Sequence, residues 1–153
     1  MIDAVAQARI QELFRRENRS FLQYVCESTP WSSDGDRGLL DKVRLLAAEE
    51  MTALEQLAQW MDAHRIPIPY LGAYPTQFTS SNFVDVRKLL KPLVLEQRKG
   101  VADLERTAKL PMDEAVRSQI EKLAAMNRRH LEDFEQMIES PPSDFGTSKD
   151  GNP

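Results

Sequence analysis

The chain contains one cysteine, two histidines, six glycines and only 7% aromatic residues among its 153 positions. Each scarcity excludes something. Cys26 has no partner, so there is no internal disulfide framework, and a reducing, cytoplasmic location is the default expectation. Two histidines, His64 and His130, exclude His-rich metal chemistry. No glycine-rich phosphate loop and no Ser-His-Asp arrangement is present. No apolar run approaches the roughly 20 residues of a membrane span. The opening MIDAVAQARI lacks the long apolar stretch of a signal peptide. Charge of one sign is also missing: the net charge is −4 with both signs interspersed, which gives no reason to expect nucleic-acid or polybasic membrane binding.

What is present is helical periodicity. Apolar residues recur at helix spacing in four segments, covering about 3–28, 38–64, 83–109 and 112–139. At this size one domain is expected. It is read as a helical bundle over 1–140, with a polar, Pro/Gly-rich, disordered tail over 141–153. Asn82, with Asp85 three residues on, is a candidate cap for the third segment, and Pro92 predicts a kink within it.

The connections set the expected topology. The first link is about ten residues and the third only about three, so each joins antiparallel neighbours. The middle link, RIPIPYLGAYPTQFTSSN, is much longer. A helix of about 27 residues is about 40 Å long, and 18 extended residues reach at most about 60 Å. The link can therefore return along the bundle and start the third helix parallel to the second. Its apolar residues Ile66, Ile68, Tyr70, Leu71, Tyr74 and Phe78 predict that it packs on the helices.

Each stripe carries a polar residue near mid-helix. The first reads 6, 10, 13, 17, 20/21, 24 and includes Glu17. The second reads 43, 47, 50, 54, 57, 61 and includes Glu50. The third reads 86, 89, 93, 96, 100, 104 and includes Glu96. The fourth reads 116, 120, 123, 127, 130, 134 and includes Asn127 and His130. No lysine or arginine falls on these stripes. A buried carboxylate must be paired, protonated or bound to a cation. Mixed carboxylate and imidazole ligation suits iron, manganese or zinc. Two readings stay open: a metal site, or a metal-free layer in which protonated glutamates pair with Asn127 or His130.

The same residues resemble the ferritin superfamily, bacterioferritin and rubrerythrin in particular, over roughly residues 5–139. That pattern is Glu, then Glu-x-x-His, then Glu, then Glu-x-x-His on successive helices. Here E-N-R-S-F-L-Q-Y supplies Glu17, with Tyr24 where bacterioferritin has a tyrosine beside its centre. E-M-T-A supplies Glu50 but has Ala53 in place of histidine. L-V-L-E-Q supplies Glu96, and N-R-R-H supplies His130 but has Asn127 in place of a bridging carboxylate. The resemblance implies a ferritin-like four-helix bundle, two antiparallel hairpins joined by a long crossover, with a degenerate di-iron ligand set. One iron or manganese ion rather than two is expected, on Glu50, Glu96 and His130, with Glu17 and Asn127 in the same layer and Tyr24 in the second shell. Weak or no di-iron oxidase activity follows from the two lost ligands. The alternative is a metal-free bundle serving as a structural or protein-interaction module. Haem is not expected, since only Met51 stands at the matching haem position. A fifth helix after Pro142 is missing, so no 24-subunit cage is expected, while Trp31 and Trp60 are candidates for a homodimer interface.

Overall fold

The computed structural model describes residues 1–142. The expected disorder of the tail therefore lies outside the described residues, except for Pro141 and Pro142. These residues form five α-helices: α1 (Ala4–Asn18), α2 (Phe21–Glu27), α3 (Arg37–Ala63), α4 (Val86–Ala108) and α5 (Glu114–Glu139). Short 3-10 helices occupy Asp34–Asp36 and Thr76–Ser81. No strand is present among the described residues, where one isolated bridge joins Trp31 to Asp85. No helix among them is long and apolar enough to cross a membrane.

The first expected helix is two. Ser20 takes up an extended backbone (φ −66°, ψ 155°), and its side chain accepts a hydrogen bond from the Gln23 amide. A serine oxygen that bonds an amide three residues on starts a new helix instead of continuing the old one. The sequence S-F-L-Q at 20–23 is a capping-box pattern inside an otherwise helical stripe. Helix α4 also starts later than the stripe predicts. Asp85, not Asn82, is its cap and accepts from the Arg87 amide at 3.0 Å. Phe83 just before it is left-handed (φ 57°), which breaks any earlier turn. Helix α5 is capped by Asp113, which accepts from the Ala115 amide at 2.9 Å. Asp113→Ala is expected to cost about 1 kcal/mol, measured as a shift in denaturant midpoint at unchanged slope.

Packing divides the core into two clusters. One joins α2 and the first halves of α3 and α4 to the end of α5, through Val25, Val43, Leu89, Leu93 and Phe134. The other joins α1 and the second half of α3 to the first half of α5 and the end of α4, through Ile10, Leu54, Met61, Ile120 and Leu104. The first halves of α3 and α4 thus share one end of the molecule. That end also receives the close of α5, so α5 runs opposite to α3 and α4. The stretch 64–85 must carry the chain back between the end of α3 and the start of α4. It does so against α1 and α2: Gln11 donates to the Pro67 carbonyl, Arg19 to the Gly72 carbonyl and Tyr74 to Glu27. Ile66 and Phe78 are buried as expected of an apolar crossover, whereas Ile68 and Tyr70 are exposed. Trp31 is also exposed, with its indole donating to the Phe83 carbonyl, and Trp60 is half-buried.

Candidate functional site: a polar layer and its cavity

Between the two apolar clusters lies a layer of buried polar side chains: Glu17, Glu50, Gln97, Asn127 and His130. Four of these positions are on the stripes read from the sequence. The fifth differs. Glu96 is half-exposed and bonds Lys99 at 3.3 Å on the next turn, and Gln97 takes the inward position. The buried residues of α4 run 86, 89, 90, 93, 94, 97, 101, 104, so the stripe is centred one residue later than expected. Burying both Leu93 and Val94, and both Leu89 and Leu90, turns the helix toward 97.

Glu17 accepts a hydrogen bond from the Asn127 amide at 3.2 Å, and Arg16 lies 3.9 Å away. Burial pushes its carboxyl above the ordinary glutamate range, against the opposing pull of Asn127 and Arg16. Glu50 is perturbed as well. Burial first, and the Glu17 charge second, push it up to about 8, while Ser20 and Gln23 pull back. The Ser20 hydroxyl donates to Glu50 Oε1 at 2.5 Å. Glu50 therefore favours its protonated form at neutral pH, and burial pushes Glu17 in the same direction.

Ser20, Gln23 and Gln97 were not among the residues singled out from the sequence. Ser20 both opens α2 and serves Glu50. Gln23 donates to the Ala47 carbonyl at 2.8 Å, and Gln97 to the Asn127 carbonyl at 3.1 Å. The S-x-x-Q spacing was the available signal for the first two.

His130 stands apart from the other candidate ligands. Its Nε2 is 3.0 Å from Glu49, the half-exposed neighbour of Glu50, and its Nδ1 is buried without a partner. Burial lowers its pKa below the ordinary imidazole value, with Glu49 opposing. Tyr24 donates to Asn82 at 2.5 Å and packs edge-on to Tyr74, 5.2 Å between centroids. Neither residue lines the cavity described next.

A cavity of about 230 Å³ opens beside the layer. Glu17, Glu50 and Asn127 are its buried polar lining, Phe21, Phe78 and Leu93 are apolar lining, and Arg16, Arg19, Glu96, Lys99 and Asp103 are its more exposed charged lining. The Asn127 Oδ1 atom is buried without a hydrogen-bond partner.

The donor set does not fit the metal centre that the ferritin-like pattern implies. Among the described residues no group of three or more His, Cys, Asp or Glu side chains could hold a metal ion. Glu50, Glu96 and His130 each have a different protein partner, Ser20, Lys99 and Glu49 respectively. Comparison with protein-family models, with curated proteins and with solved structures returned no match to this chain.

Proposed function

We propose that this chain is a ferritin-like four-helix bundle that holds no metal and acts as a binding module through the cavity in its polar layer. Helices α1 and α2 together form the first of the four bundle helices, and 64–85 is the crossover between two hairpins. The direction of α3, α4 and α5 supports this topology, and so does the meeting of all the helices at one polar layer.

The observation that carries the metal-free reading is that each buried acid receives a hydrogen bond from a neighbouring side chain. Asn127 serves Glu17, Ser20 serves Glu50, and burial keeps Glu50 protonated. A carboxyl held this way needs no cation. The Asn127 amide donates to Glu17. The competing reading is one iron or manganese ion on Glu50, Glu96 and His130 with weak oxidase activity. It requires His130 to leave Glu49 and Glu96 to leave Lys99.

Titration calorimetry with Fe(II), Mn(II) and Zn(II) at pH 7 tests the choice. No stoichiometric binding to the wild-type chain is expected. One ion per chain, lost in Glu50→Gln and in His130→Ala, would establish the competing reading.

A further inference from the structure

We propose that the cavity binds the ammonium group of a small primary alkylamine, held by Glu17, Glu50 and the Asn127 Oδ1 atom. The assignment rests on the metal-free reading above and adds a ligand class to it.

Three features of the cavity lead to this class. Its floor is rich in acceptors: two glutamate side chains, 6% and 1% exposed, and an amide oxygen on a residue 2% exposed. That amide oxygen has no partner in the protein. A buried acceptor left unpaired costs about 1–3 kcal/mol, which a donor supplied by a ligand would recover. A primary ammonium carries three N–H donors and no acceptor, so it complements an acceptor floor. The second feature is the wall. Phe21, Phe78 and Leu93 give apolar surface for an alkyl chain, and the two rings suit a nearby cation. The third is the rim. Arg16 lies 3.8 Å from Asp103, Lys99 is 3.3 Å from Glu96, and Arg19 donates to the Gly72 carbonyl. The Arg16 Nε atom is buried 3.9 Å from Glu17, while no lysine or arginine is within ion-pair distance of Glu50 among the described residues. An anionic ligand would meet the floor carboxyls, and a neutral alcohol would bring only one donor.

Binding is coupled to a proton. A protonated Glu50 offers the ammonium one acceptor oxygen, and an ionised one offers a charge as well. The amine, with a lysine-like pKa of about 10.4, stays charged well above the pH at which Glu50 ionises. Affinity should therefore rise with pH, and near pH 7 each binding event should release a proton. Glu17, Arg16, Arg19, Glu96, Lys99 and Asp103 are the other charged groups around the cavity. Burial raises the Glu17 carboxyl in the same sense as Glu50.

The test is titration calorimetry of the full chain with butylammonium, run at pH 6 and pH 8.5 in buffers of differing ionisation heat. Butanol, tetramethylammonium and Mn(II) serve as controls. Half-saturation at about 1 mM or below at pH 8.5 is expected, as a strong fragment of five heavy atoms allows. Binding should weaken at least tenfold at pH 6 and at least tenfold in Glu50→Gln at pH 8.5, and the two control organics should not compete. Asn127→Leu should weaken it too, with Glu50→Gln as the variant that keeps the fold. Absence of butylammonium binding, or equal binding in Glu50→Gln, would overturn the assignment. If Mn(II) also fails to bind, the metal-free reading survives that loss. If Mn(II) binds at one per chain through Glu50, both fall together.

Discussion

Glu50→Gln is expected to stabilise the protein by on the order of 3 kcal/mol at pH 8 and above, and to leave its stability near pH 4.5 almost unchanged. The sign follows from where the proton resides. Unfolded, Glu50 titrates near its ordinary value of 4.5; folded, burial and the Glu17 charge hold it near 8. Below 4.5 both states are protonated and the group contributes no difference. Between those values the unfolded chain loses its proton while the folded one keeps it, so wild-type stability falls as pH rises, and it levels off above about 8. Glutamine keeps the shape and an acceptor for Ser20 but never ionises, so the fall disappears. Glu17 is also raised by burial and adds a slope of the same sign. His130 works in the other direction: its imidazole is pushed below 6.5, so its contribution is lost as pH falls through that value. Denaturant unfolding of both proteins at pH 5 and pH 8 reads the effect. A wild type more stable than Glu50→Gln at pH 8 would mean that the carboxylate is ionised and paired.

Arg87→Ala is expected to cost about 2 kcal/mol. One guanidinium joins three elements. It donates to both carboxylate oxygens of Asp36 at 2.7–3.1 Å, just before α3, and to the Ser140 carbonyl at 3.0 Å, at the end of α5. Arg87 is on the first turn of α4. Asp36 is 3% exposed, and the Arg87 hydrogen bonds hold its carboxyl below the usual range. Removing the arginine leaves a carboxylate with little access to water. Asp36→Asn with Arg87→Ala should cost less than the sum of the two single changes, because no orphaned charge remains. Equal additive losses in the double variant would show that the pair is not coupled. Arg87→Lys should recover only part of the loss, since an ammonium cannot reproduce the two-pronged geometry. This clamp was not legible in the sequence, because Asp36 and Arg87 are 51 residues apart and neither is on an apolar stripe.

The helices themselves were legible. Strong 3.6-residue periodicity over more than 20 residues located α3, α4 and α5 to within about three residues at each end. The break at Arg19 and Ser20 is hidden in the sequence, because the apolar stripe passes through it unchanged and only the cap chemistry of Ser20 marks it. The polar layer was legible as a layer. Glu17, Glu50, Asn127 and His130 are all buried at the height where the two apolar clusters separate. Their partners were not. A stripe shows which side chains point inward, but not which neighbour each meets around the axis. His130 reaches Glu49 rather than Glu96, and a single-residue offset on α4 exchanges a glutamate for Gln97.

On the proposed reading a proton, not a cation, neutralises Glu50. Carbon-13 NMR of the Glu50 side-chain carboxyl, assigned with Glu50→Gln and titrated from pH 4 to pH 10 with and without one equivalent of Zn(II), tests it most directly. A protonated carboxyl at pH 6.5, ionisation near pH 8 and no change on adding zinc are expected. A carboxylate already ionised at pH 6, or one that loses its proton when zinc is added, would contradict it.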